Sequence, residues 1–328
     1  MNFLINVLVG FSALWCIGMN DPAKNPGTYQ DFVLNQVNPD CYYNWAVYSE
    51  DNLKNPKFTP MIWKVNDINL KQAIKLAELY KGRTWLIYNE PEGSDQANTK
   101  PEIAADWFDK VYTQVKAVDS TAVIACCGVM IRNEGIDWLD KFVKAAKNKP
   151  DIWHIHIYIN SVEMSDWLAF WNWFLWWNDK AGSNLPVYVT ETCATYQTSQ
   201  DKLLLSLLNF NHPLLKRIYW FSAYHEPIVT DWHCNLLNDK GELLNLGKLF
   251  QSRLSNKLTP VPEPTKQPTK TPEPTKTPIP TNTPTPTITP IPSPSPTATI
   301  DPGETTNEPI VDEPMIYIYE IYIPLIQN

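Results

Sequence analysis

The chain has 328 residues, 44% of them hydrophobic and 12% aromatic, and a net charge of −8. This is enough apolar material for one large domain or two small ones. The acidic balance, with no basic tract, argues against a nucleic-acid partner and suits a neutral substrate.

The first apolar run, Phe3 to Met19, fits two readings. It has the character of a secretory leader, although no Lys or Arg precedes it and no small-x-small cleavage site closes it. Residues 13–19 also read as a first strand, and both readings hold if the leader, within residues 1–12, ends near Gly10. Further strand-like runs lie at 41–47, 58–63, 84–90, 122–129, 152–158, 186–191 and 217–222. Helix-like runs lie at 27–37, 69–80, 99–118, 135–147, 165–178, 199–209 and 241–254, and the gap at 48–57 has room for a single helical turn. Such alternation marks a parallel sheet with crossover helices, and eight strands over about 240 residues predict an α/β fold, a (β/α)8 TIM barrel, across 13–256. Thr99, with Glu102 three residues on, reads as a capping box. In the helix at 165–178, Trp167, Phe170, Trp171, Phe174 and Trp177 share the face that packs on the barrel, while Trp176 falls on the other side and either marks an exposed patch or, the favoured reading, packs on a neighbouring helix.

Six cysteines (Cys16, Cys41, Cys126, Cys127, Cys193 and Cys234) are scattered without zinc-ligand spacing, so no metal site is expected. Adjacent Cys126 and Cys127 read as buried thiols on opposite faces of a strand, whereas Cys193 and Cys234 both lie just past strand ends, where a disulfide can join them. After Leu258 the composition changes: Pro and Thr alternate to about Pro302. The linker at 257–308 is too poor in apolar residues to fold and reads as a disordered, semi-rigid spacer with a reach on the order of 100 Å. The short apolar tail at 309–328 reads as a sorting or attachment peptide at a cell surface, because an exposed aggregation-prone strand is a hazard unless something binds it.

Two of the strands end in chemistry. Trp85-Leu86-Ile87-Tyr88-Asn89-Glu90-Pro91 is a continuous apolar run that stops at an amide, a carboxylate and a proline that cannot donate to a ladder. Pro186-Val187-Tyr188-Val189-Thr190-Glu191-Thr192 repeats the pattern about a hundred residues on. In a parallel barrel the carboxyl ends of the strands carry the chemistry, and two glutamates facing one cleft are what cleavage of a glycosidic bond needs. Fourteen tryptophans fit the same reading, since a flat indole covers the apolar face of a pyranose as well as it packs a core.

Tyr42-Tyr43-Asn44-Trp45, Pro60-Met61-Ile62-Trp63, Asn89-Glu90-Pro91, His156-Ile157-Tyr158, Thr190-Glu191 and Tyr219-Trp220-Phe221 resemble, in that order, the strand-end motifs of glycoside hydrolase family 128 of clan A, whose known members are endo-β-1,3-glucanases. The resemblance runs from about residue 13 to 255. It departs at Tyr88, where a Phe usually precedes the Asn, at Thr192-Cys193, and at Cys126-Cys127-Gly128. It implies a retaining glycosidase with Glu90 on strand four as general acid/base and Glu191 on strand seven as nucleophile. Asn89 is then expected to bond the sugar 2-hydroxyl, Tyr158 to donate to Glu191 and His156 to orient the glutamates, with His154 one pleat deeper as a structural residue. Trp220 is expected to floor the cleaved-sugar subsite, with Trp63 and Trp45 as further platforms and Asn44 beside them. Glu92 is expected to turn away toward the next loop. His225, Glu226, Asp231, Trp232 and His233 follow strand eight in a loop over the cleft, with spacing too irregular for a metal.

The expectation is therefore a monomeric, extracellular or surface-tethered hydrolase of β-linked polysaccharide that needs no cofactor. An exo-acting β-glycosidase is separated from it by product sizes, and a non-catalytic carbohydrate-binding or adhesion protein by the absence of released reducing ends.

Overall fold

The computed structural model describes residues 13–19, 33–47, 53–224, 232–238 and 240–256. The expected leader, linker and tail, and His225, Glu226 and Asp231, lie outside them. Eight strands form one sheet: β1 (Leu14–Gly18), β2 (Cys41–Tyr43), β3 (Met61–Ile62), β4 (Thr84–Ile87), β5 (Val123–Met130), β6 (Ile152–Ile159), β7 (Val187–Ala194) and β8 (Leu215–Trp220). All neighbouring pairs are parallel, in the order β2-β1-β8-β7-β6-β5-β4-β3. The remaining seam is spanned by a parallel bridge of Tyr42 with Phe58, where the Thr59 N–H donates to the Tyr42 carbonyl at 2.8 Å. The cylinder is thereby closed, with no long edge left unpaired.

Helices α1 (Asp67–Leu79), α2 (Pro101–Val118), α3 (Asn133–Ala145), α4 (Met164–Lys180), α5 (Asp201–Leu208) and α6 (Asn245–Asn256) follow β3 to β8 in turn. Residues 33–37 are helical after β1, and among the described residues after β2 a helical turn lies at 53–54. The capping box expected at Thr99 is absent: α2 opens on Pro101, which has no N–H to satisfy, and the Thr99 hydroxyl donates to the Ala97 carbonyl at 2.8 Å. A reciprocal cap is built instead at α1, where the Asn66 side chain accepts from the Asn69 N–H and the Asn69 side chain accepts from the Asn66 N–H.

The core has two layers. Inside the cylinder Cys16, Cys41, Tyr43, Met61, Leu86, Ala125, Tyr188 and Tyr219 form one cluster, against which half-buried Ile152 of β6 packs; the next inward positions of β6 carry the fully buried His154 and His156. Between strands and helices lies a larger aromatic layer that includes Phe108, Phe142, Trp153 and Trp177. Truncating a fully buried ring such as Phe108 costs about 3–5 kcal/mol. On α4, Trp167, Trp171, Phe174 and Trp177 are buried as the periodicity requires. Trp176 is not covered by a neighbouring helix: it is 56% exposed, with the Lys180 ammonium 4.7 Å from its ring.

All six cysteines are paired, Cys16 with Cys41 across β1 and β2, Cys193 with Cys234, and Cys126 with its neighbour Cys127. The last pair replaces the two free thiols expected on β5, where both residues sit in the outer core. Among the described residues no helix is long and apolar enough to cross a membrane.

Candidate active site

Strict alternation along β4 from the inward Leu86 would carry Tyr88 into the cylinder. Instead Tyr88 takes φ 71°, and its hydroxyl donates to the Ala104 carbonyl of α2 at 3.3 Å. Glu90 follows at φ 43°, and Trp45 on the neighbouring loop has φ 57°. Left-handed backbone at bulky residues costs on the order of 1–3 kcal/mol each and persists where the surroundings hold it. At Glu90 the hold is a 2.9 Å bond from its N–H to the Gly128 carbonyl. Gly128 itself has φ +68°, and a Cβ there would stand 2.8 Å from the His154 ring and 2.9 Å from the Tyr88 carbonyl oxygen. Only glycine satisfies both demands.

Glu191 reaches the cleft through a different irregularity. On β7 Val189 pairs with Ile155 and Glu191 with His156, so Thr190 is an extra residue, a bulge. The bulge resets the alternation: Tyr188 faces the interior below it and Glu191 above it, while Thr192 faces outward and accepts from the Trp167 indole N–H of α4 at 3.0 Å. The Glu191 carboxyl, 5% exposed, is surrounded by donors. Its Oε1 accepts from the Tyr43 hydroxyl at 2.9 Å and the Trp45 indole N–H at 2.8 Å, and its Oε2 accepts from the Tyr158 hydroxyl at 2.6 Å. Burial, reinforced by Glu191, pushes both tyrosines well above their ordinary range, so they stay donors.

His156 stands between the two acids. Its Nδ1 lies 2.8 Å from Glu90 Oε1 and 3.5 Å from Glu191 Oε2. A ring nitrogen and one oxygen from each carboxyl all fall within 4.8 Å of one another, close enough also to hold a cation. Burial raises Glu90 above the usual carboxylate range; the His156 contact opposes that rise and the Glu191 charge adds to it. Burial works against a charged His156, but Glu191 and Glu90 outweigh it and move His156 upward. One level deeper, His154 is held neutral at about 3 by burial. Its Nε2 lies 3.0 Å from the Ile87 carbonyl, which can only accept, so Nδ1 at 3.1 Å accepts from the Thr190 hydroxyl.

The structure thus brings together Glu90, Glu191, His156, Tyr158 and Trp45. Asn89 is buried beside Glu90; its amide donates to Gln96 at 3.2 Å, and its Oδ1 has no partner among the described residues. Neither polar side-chain atom of buried Asn44 has one either. Trp63 is half-buried at the edge of both core layers. Trp220 is not a subsite floor: it is fully buried in the outer layer, with its indole N–H donating to the Cys234 carbonyl at 2.7 Å. Alternation from the inward Tyr219 gives the cleft to Phe221, whose ring lies 5.9 Å from Trp45, 5.8 Å from Tyr158 and 5.9 Å from Trp232. Glu92 does turn to the next loop, accepting from the Met130 N–H at 2.7 Å. Sequence reasoning missed Tyr43 and Phe221. The two-residue spacing of Tyr43 from Trp45 and the period of two in β8 were the signals for them.

Residues 19–250 match the family model described as the glycosyl hydrolase catalytic core, so the chain belongs to that family and is a glycoside hydrolase. No curated protein matches it in sequence. Among solved structures it is similar to a GH128 (subgroup II) endo-β-1,3-glucanase from Sorangium cellulosum, with 22% identity, TM-score 0.57, and coverage of 74% of this chain and 98% of that one. It is also similar to a GH128 (subgroup I) endo-β-1,3-glucanase from Amycolatopsis mediterranei in complex with laminaritriose (18%, 0.53, 74% and 98%). A GH128 (subgroup VI) exo-β-1,3-glucanase from Aureobasidium namibiae compares equally (18%, 0.58, 74% and 96%). These likenesses show a shared barrel fold.

Proposed function

We propose that this glycoside hydrolase cleaves β-1,3-linked glucan by a retaining double displacement, with Glu191 as nucleophile and Glu90 as general acid/base. The observation that carries this reading is the spacing of the two acids. An oxygen of each lies within 4.8 Å of the other, near the ~5–5.5 Å separation of retaining sites and short of the ~6.5–9.5 Å that leaves room for water in inverting ones. In the first step a Glu191 oxygen attacks the anomeric carbon while Glu90, kept protonated by burial, gives its proton to the departing glycosidic oxygen. The three donors around Glu191 suit the carboxylate both before attack and as it leaves. In the second step Glu90, now ionised and 2.8 Å from His156 Nδ1, takes a proton from the water that attacks the anomeric carbon and releases Glu191. The β-1,3-glucan substrate is supported by the printed activities of the structures of like fold, endo- and exo-acting alike. Three disulfides support action outside the cell, with residues 257–308 as spacer and 309–328 as surface attachment.

Glu191→Gln and Glu90→Gln, assayed on laminarin, mixed-linkage glucan, xylan and mannan, test the reading. It expects laminarin hydrolysis to fall by about a thousandfold or more in Glu191→Gln with the fold unchanged. Undiminished hydrolysis removes the assignment, and an α-anomer as first product removes the retaining step. Product lengths separate endo from exo action.

A further inference from the structure

Three backbone groups at the end of β5 tie down three parts of the site. The Gly128 carbonyl accepts from the Glu90 N–H at 2.9 Å, the Met130 N–H donates to Glu92 Oε1 at 2.7 Å, and the Ile131 N–H donates to the His156 carbonyl at 3.0 Å. Paired ladder contacts between β4 and β5 end at Ile87 and Cys126, so on that side the Met130 N–H has no strand residue to meet and the Glu92 side chain takes the place of one. The other oxygen, Glu92 Oε2, is buried with no hydrogen-bond partner among the described residues. The stretch that Glu92 anchors is the strained one, with Tyr88 and Glu90 both at positive φ.

We propose that Glu92 is a positioning residue: its carboxyl clamps the strained end of β4 to β5 and fixes Glu90 against His156. The inference rests on the reading of Glu90 as acid/base. Burial, and then the Glu90 charge, push Glu92 up to about 8, so below that pH its carboxyl is protonated and a Gln amide is its close mimic. Three other charged groups bear on the pair. His156 from β6 favours the ionised form of both, Arg132 from the turn before α3 favours ionised Glu90, and Glu191 from β7 disfavours it.

The test measures kcat, KM and pH profiles on laminarin for the full chain and for Glu92→Gln, Glu92→Ala and Glu90→Gln. Glu92→Gln keeps an oxygen for the Met130 N–H. It is expected to rescue the clamp, with kcat within about threefold of wild type and the pH profile unmoved. Glu92→Ala loses the clamp, and its kcat is expected to fall about tenfold with KM little changed. A kcat in Glu92→Gln that falls tenfold or more overturns the inference, and so does full kcat in a folded Glu92→Ala; if Glu92→Ala does not fold, the Glu92→Gln kcat decides. Full activity in Glu90→Gln instead removes the acid/base reading itself.

Discussion

Replacing Tyr158 with Phe removes one hydroxyl from the donors around Glu191, and the structure ranks that loss against the loss of Tyr43. Glu191 Oε1 has two donors, Tyr43 at 2.9 Å and Trp45 at 2.8 Å. Among the described residues, Oε2 has Tyr158 at 2.6 Å and otherwise only His156 Nδ1 at 3.5 Å. Tyr43→Phe therefore leaves its oxygen bonded, whereas Tyr158→Phe leaves a buried oxygen without a close partner. A hydrogen bond to a charged group is worth about 1.5–3 kcal/mol. At about 1.36 kcal/mol per factor of ten, that predicts a loss of kcat of roughly 10- to 150-fold in Tyr158→Phe and a smaller one in Tyr43→Phe. Initial rates of reducing-end release from laminarin, with thermal melts to confirm folding, provide the assay. A Tyr158→Phe enzyme within threefold of wild type, or a larger loss in Tyr43→Phe, would refute the reasoning.

Gly128→Ala must place a Cβ 2.8 Å from His154 at a φ of +68°. Left-handed strain of about 1–2 kcal/mol and overpacking of about 1–3 kcal/mol predict a fall in Tm of roughly 4–20 °C by calorimetry. His154 is held at about 3, below its ordinary 6.5, so between those values the unfolded chain binds a proton that the folded chain refuses. Its contribution to stability is complete above about pH 6.5 and is lost as pH falls toward 3, and Tm against pH should be flatter over that range in His154→Gln than in wild type. Cys234→Ser opens the disulfide to Cys193, 41 residues away in sequence. It should lower the unfolding free energy in denaturant titrations by about 2–4 kcal/mol.

The barrel is legible in the sequence because each strand is a short apolar run with a hard stop, and parallel strands buried on both faces need no finer pattern. Glu90 and Glu191 are legible for the same reason, as lone carboxylates at those stops. What a period of two cannot encode is where it breaks. The bulge at Thr190 and the positive φ at Tyr88 depend on contacts made by β5 and β6, far away in sequence. The expectation for Trp220 is one residue out of phase, because the motif favours the larger ring while Tyr219 fixes which neighbour faces inward. The Cys126–Cys127 pairing is hidden because neighbours on a regular strand point apart, and this strand is irregular there, with its β6 register shifting between Cys127 and Val129. The donors of Glu191 come from β2, its following loop and β6, a convergence that closure of the cylinder creates and local sequence does not contain.

The extra residue in β7 also bears on how relatives of this protein are to be judged. Flattening the bulge with Thr190 kept in the ladder would give Thr190 the inward place and turn Glu191 toward the helices, while both glutamates remained in any alignment. A barrel of this kind can therefore go silent through a slip of one strand's register, and an inventory of matching letters would still score it as a working enzyme.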